Sequence, residues 1–150
     1  MDSSLTSPLR ITAWADAVID RIGHLPTSAY FEWVWLPRVG PSTAWAYRRL
    51  TEGLSTQPDG YSVELDILAA WLGLGGTGHQ APLVRSLRRL VRFHLALQLD
   101  EHTLGVRRRV PPLTTPQLRN LHPTLQRAHL RMVNTTTAPA GAAAPRAASG

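Results

Sequence analysis

Four arginines, Arg85, Arg88, Arg89 and Arg92, carry the strongest chemical signal in the chain. At 100° per residue on a helix they fall within one sector of roughly 100°, while Leu83, Val84, Leu87, Leu90, Val91 and His94 fall on the far side. A guanidinium is permanently charged and planar, and its fork of donors matches the oxygens of a phosphate or carboxylate. Four like charges on one face repel one another and weaken an isolated helix. A merely solvated face would intersperse acids, and none occurs between Leu83 and Leu99. The stripe therefore points to a polyanionic partner. A second basic run, Arg107–Arg108–Arg109, would place Arg107 and Arg109 on one face of a strand and Arg108 on the other.

Other chemistries fit less well. Gly73, Gly75 and Gly78 match the G-x-G-x-x-G spacing of dinucleotide sites, and Asp100 follows where a ribose-binding acid would stand. That site needs a strand before the glycines and a helix after them, so that the pyrophosphate rests on the helix N-terminus. The preceding Glu-Leu-Asp-Ile-Leu-Ala-Ala-Trp-Leu has helical periodicity instead, and no further β-α units follow to build a sheet. A dinucleotide-binding enzyme thus ranks third among the readings. Six histidines are present, but no His-Glu-x-x-His or similar ligand spacing, and Pro123 separates His122 from His129. His94 reads as a core or boundary residue. Cysteine is absent, which excludes disulfides, cysteine-ligated zinc and thiol catalysis. No nucleophile–base or paired-carboxylate pattern is visible. No enzymatic activity, cofactor or metal is expected.

The charge balance agrees with the stripe. All 16 basic residues are arginine, a usage that together with the alanine-rich end suggests a GC-rich bacterial genome. Residues 1–80 hold five arginines against eight carboxylates, whereas residues 81–150 hold eleven against two, a net charge of +9. Nucleic acid is the first candidate for a partner. With 43% hydrophobic residues among 150, one domain with appendages can bury a core. No apolar run reaches membrane-spanning length, and the first residues lack the pattern of a secretory signal. A cytoplasmic protein is expected, nucleoid-associated if it binds DNA.

The elements that must position these residues read as follows. A helix over 9–22 sets Ile11, Trp14, Ala15, Val18 and Ile22 at helical spacing and ends at Gly23. Residues 30–36, Tyr-Phe-Glu-Trp-Val-Trp-Leu, fit either a strand or a buried helical turn. Pro41 opens a helix over 42–54 with Ala44, Trp45, Tyr47, Leu50 and Leu54 inward. Ser62 caps a helix over 63–72 striped by Val63, Ile67, Leu68 and Trp71, and Gly73 stops it. The arginine helix covers 81–94. Residues 95–110 form a hairpin, with Leu95, Leu97 and Leu99 alternating on one strand and Leu104–Val110 returning. Thr115 caps a short helix, and Pro123 starts another that runs to about Val133. Residues 134–150 have nothing to bury and read as a disordered tail. The five tryptophans are expected mostly in the core.

The order helix, helix, tight turn, helix, hairpin is the layout of a winged helix-turn-helix domain. Leu-Ala-Ala-Trp-Leu-Gly-Leu-Gly resembles the second helix and turn of such domains, and Leu-Val-Arg-Ser-Leu-Arg-Arg-Leu-Val-Arg-Phe-His-Leu-Ala-Leu-Gln resembles a recognition helix running into the first wing strand. The segment Trp-Val-Trp-Leu-Pro-Arg-Val-Gly-Pro-Ser-Thr-Ala-Trp-Ala-Tyr-Arg-Arg-Leu is similar to the entry of winged-helix domains in replication-initiator and replisome-organiser proteins. The whole of 29–110 resembles a group of small winged-helix proteins of high-GC bacteria. The resemblance implies a mainly α fold with a small β-hairpin wing. It divides the chain into an N-terminal helical arm, 1–28, the winged domain, 29–110, and C-terminal helices, 111–133. It implies that the recognition helix enters the major groove of double-stranded DNA. His79, Gln80, Arg85, Ser86 and Arg89 would then lie nearest base edges, Arg88 and Arg92 on phosphates, and Arg107, Arg108 and Arg109 on the wing. The turn Gly-Leu-Gly-Gly-Thr-Gly-His is longer than usual, which would alter the helix angle. The implied role is a transcription regulator or an accessory factor of replication or a mobile element. The rival is an interaction module whose arginines grip an acidic protein. Leu118, Leu121, Leu125 and Met132 would cover the domain or form the seam of a homodimer.

Overall fold

The computed structural model describes residues 4–75 and 81–137, with side chains to Val133. The chain divides into two units, Met1–Pro111 and Pro112–Gly150. The first mixes helices with a four-stranded sheet of order β2-β1-β4-β3.

The sheet begins where a helix was expected. Leu9–Ala13 is strand β1, and only Ala17–Ile22 is helical, as α1. Leu9 and Ile11 are buried with Arg10 exposed between them, a period of two that outweighs the helical spacing over the same residues. Asp16 then caps α1, its carboxylate accepting from the Val18 and Ile19 N–H groups. Val18 and Ile22, expected inward, are exposed. Strand β1 pairs antiparallel with β2, Tyr61–Val63, and parallel with β4, Thr103–Val106. It thereby fills the middle of the sheet. Gly60, at φ +105, makes the turn into β2 where an added Cβ would meet the Ile11 carbonyl oxygen at 2.8 Å.

Residues 31–39 are helical, which settles the alternative left open for this segment. Phe31–Trp35 is a π-helical turn in which the Leu36 N–H reaches the Phe31 carbonyl, and Leu36–Val39 continues as α2. Pro37 has no N–H to give, so the ladder must shift locally. The main helix α3, Pro41–Thr56, buries Ala44, Tyr47, Leu50 and Leu54, but Trp45 stands 54% exposed. Helix α4 starts at Leu65, because Ser62 and Val63 belong to β2, so Ser62 is not its cap. Gly73, at φ +72, closes it: the Gly73 N–H donates to Ala70 and the Leu74 N–H to Ala69. Leu68 and Ala69 are its buried residues, while Ile67 and Trp71 face outward. Of the five tryptophans, Trp35 is buried and Trp33, Trp45 and Trp71 are exposed, so the expected core role holds for a minority. Where Trp35 and Tyr47 are buried, the indole N–H donates to the Pro111 carbonyl and the phenol to that of Arg107.

Helix α5, Pro82–Arg92, packs Leu83, Val84, Leu87 and Leu90 into the core. His94 does not join them. It follows the helix at φ +61, with its N–H on Val91 and the Leu95 N–H on Leu90, which turns its ring into solvent. Strand β3, Ala96–Asp100, pairs antiparallel with β4. Ala96 is its buried residue and Leu97 and Leu99 lie outward, whereas Leu95, expected on the same strand, precedes β3 and is buried. Strand β4 ends at Val106, short of the expected Val110.

In the second unit, Thr114 rather than Thr115 caps α6, Thr115–Leu118, in a reciprocal capping box with Gln117. Helix α7, Pro123–Thr137, runs past the expected end at Val133. Residues 134–137, expected in the disordered tail 134–150, are helical, and the remainder, 138–150, lies outside the described residues. Leu118, Leu121, Leu125 and Met132 are half-buried, and Leu113, Ala128 and His129 are buried. Among the described residues no helix is long and apolar enough to cross a membrane.

Candidate nucleic-acid interface

The apolar stripe of α5 fixes its orientation: once Leu83, Leu87 and Leu90 are buried, the opposite face must carry the arginines. Arg85, Arg88 and Arg92 are exposed and Arg89 is half-buried. Among the described residues no carboxylate lies within ion-pair distance of Arg88, Arg89 or Arg92. The Arg89 Nε donates to the Val39 carbonyl at 2.9 Å, and its guanidinium lies 5.3 Å from the Phe93 ring centroid. That seats Arg89 between α5 and the end of α2.

Arg38, which the sequence reading passed over, shares this ring, with its guanidinium 5.0 Å from Phe93 and 5.4 Å from Trp35. Its Nε is buried with no hydrogen-bond partner, and desolvation holds its pKa below the ordinary arginine value. A cation seated this way would be stabilised by an anion brought to its exposed edge.

The starts of α3 and α5 converge on a cleft of about 300 Å³ beside these arginines. Gly40 and Ala81 hold the two N-cap positions, each is followed by a proline, and neither supplies a side-chain cap. The first intrahelical bonds run from Ala44 to Gly40 and from Arg85 to Ala81. The N–H groups of Ser42, Thr43, Leu83 and Val84 thus have no helical acceptor. Thr43 is 2% exposed and Ser86 4%, both line the cleft, and neither hydroxyl is hydrogen-bonded among the described residues. Two helix N-termini, two unengaged hydroxyls and the guanidinium of Arg89 suit a phosphate oxygen. The signal in the sequence was the repeated proline at the first helical position without a Ser, Thr, Asp or Asn before it.

Several expected residues sit otherwise. Ser86 is buried against α3 rather than displayed on the exposed face, because it shares the turn of α5 that packs inward. Arg107 is withdrawn from the surface: its Nε donates to the His94 carbonyl, one terminal nitrogen pairs with Asp16 at 3.1 Å, and the Trp14 ring lies 3.9 Å below it. Arg109 donates to the Gly23 carbonyl, and Arg108, still exposed, to that of Pro58. All three follow β4 rather than sit in it, so their strand-face alternation does not apply. His79 and Gln80 lie outside the described residues. The glycine run is preceded by helix α4, not by the strand a dinucleotide site requires. Among the described residues, no cluster of three His, Asp or Glu side chains is arranged to hold a metal ion. The chain matches no protein-family profile, no curated protein and no solved structure.

Proposed function

We propose that the protein binds double-stranded DNA as a winged helix-turn-helix domain, with α5 as its recognition helix, and acts as a transcription regulator or an accessory factor of replication or a mobile element. The observation that carries this reading is the arginine face of α5, free of acids, lying beside the cleft at the start of α3. The order of α3, α4, α5 and hairpin β3–β4 supports it; β1, and β2 between α3 and α4, are additions to that layout. Arg85 is the residue to read a guanine edge, Arg89, with its Nε on Val39, is placed for a phosphate at the cleft, and Arg88 and Arg92 are the ones to hold phosphates along the groove.

Selection of bound fragments from random duplex DNA tests this. Enrichment of one motif is the expected outcome for a sequence-specific regulator. Uniform recovery would reduce the protein to a non-specific DNA binder. If no duplex is retained at low salt while an acidic protein is, the arginine face serves a protein partner and the DNA reading fails.

A further inference from the structure

A second cleft, of about 640 Å³, opens on the other flank of α3, and no residue of α5 lines it. Its size falls within the range of small-molecule sites, about 300–1,000 Å³. Leu25, Pro26, Trp45 and Leu54 supply apolar walls. Leu25 at 48% and Trp45 at 54% exposure leave a leucine and an indole uncovered at the same opening. A large exposed aromatic beside an exposed leucine marks a binding surface more often than a lone apolar side chain does.

The polar lining is unbalanced. Arg48, Arg49, Arg108 and Arg109 face a single carboxylate, Glu52. Arg48 is already engaged: its Nε donates to the Pro26 carbonyl, a terminal nitrogen pairs with Glu32 at 3.6 Å, and its guanidinium lies 5.5 Å from the Trp45 centroid. Those contacts hold the Trp45 side and the loop carrying Pro26 in place. Arg109 is tied to Gly23. Arg49 has no hydrogen-bond or carboxylate partner among the described residues, and Arg108 has only the 3.3 Å contact to Pro58 from one nitrogen. Two under-used guanidiniums therefore sit at an apolar cleft.

We propose that this cleft binds a small aromatic carboxylate, its ring against Trp45 and Leu25 and its carboxylate drawn to Arg49 and Arg108. A planar acid satisfies both halves of the lining, whereas a neutral aromatic leaves the guanidiniums unmet and a hydrophilic anion leaves the apolar walls wet. The site uses none of Arg85, Arg88, Arg89 and Arg92, and Arg108, expected on the wing, lies here on the flank of α3 away from α5.

Calorimetric titration of the full chain with 1-naphthaleneacetate, and separately with its neutral amide, decides the matter. The acid should bind at one equivalent and about tenfold or more tighter than the amide, the scale of a charge-assisted hydrogen bond. Arg108→Gln, on an exposed side chain outside the helices, and Arg49→Gln should each weaken the acid by a similar factor and leave the amide unchanged. Melting curves establish that both variants are folded, and Arg108→Gln alone suffices should Arg49→Gln unfold. No saturable binding of the acid at millimolar concentration, equal binding of acid and amide, or unchanged binding by Arg108→Gln would each overturn the assignment. DNA binding is measured on the same samples and is free to succeed or fail separately.

Discussion

At Arg107 the guanidinium is held by the His94 carbonyl, by Asp16 and by the face of Trp14, with the side chain only 13% exposed. Asp16 in turn is held below its ordinary carboxylate pKa, first by the backbone N–H of Ile19 and next by Arg107. A depressed folded value stabilises the folded state above the unfolded pKa, and that contribution is lost as pH falls through the folded one. Asp16→Asn keeps a capping oxygen but removes the charge. It should therefore lower the melting temperature near neutral pH, and the gap from the parent protein should close in acid. A gap that is independent of pH would show that the loss does not come from the charge of Asp16. Arg107→Ala should cost about 1–3 kcal/mol of stability by removing a desolvated donor from its acceptors. Arg88→Ala should leave the denaturant midpoint nearly unchanged, because an exposed arginine with no partner contributes little to folding. The sequence displayed both residues as arginines in basic runs. What separates them is a partner 91 positions away in the chain, which no local pattern can reveal.

The elements were legible where one signal dominated and misread where two competed. Helix α5 has a single apolar stripe, and the structure keeps it from Leu83 to Leu90, with Val91 half-buried and His94 outside it. Residues 9–13 satisfied both a helical and a strand pattern, and pairing with β2 and β4 on either side decided for the strand. The caps at Gly73 and Thr114 were readable to within a residue because turn chemistry is local. The faces of α4 and β3 were not, because a period says how residues alternate and only tertiary packing says which set is inside. Two substitutions test the element geometry. His94 ends α5 in the left-handed region, so His94→Gly should raise stability by about 0.5–1 kcal/mol in chemical denaturation. Gly53→Ala should do the opposite despite its gain of up to about 1 kcal/mol in helix propensity. An added Cβ would come within 2.5 Å of the Tyr61 hydroxyl oxygen, and that hydroxyl is fixed on the Leu50 carbonyl. Overpacking of this kind costs about 1–3 kcal/mol, so the net effect should be destabilising. A higher melting point for Gly53→Ala would mean that Tyr61 yields freely.

For the molecule as a whole, the uneven charge was open to view in the sequence: eleven arginines against two carboxylates beyond residue 80. The candidate site was legible only in part. The stripe on α5 could be seen, but the cleft joining the starts of α3 and α5 could not, because it depends on how two helices forty residues apart in the chain pack together. A basic surface of this kind attracts any polyanion, so the decisive property is how binding responds to salt and to the loss of particular arginines. The most direct measurement is the affinity for a duplex of fixed sequence at several salt concentrations, for the parent protein and for the Arg88→Ala, Arg92→Ala double variant. If these arginines neutralise phosphates, the logarithm of affinity falls linearly with that of salt, and two lost contacts make the slope shallower by about 1.8. An unchanged slope in a folded double variant would contradict the account and remove the outer face of α5 from the DNA interface.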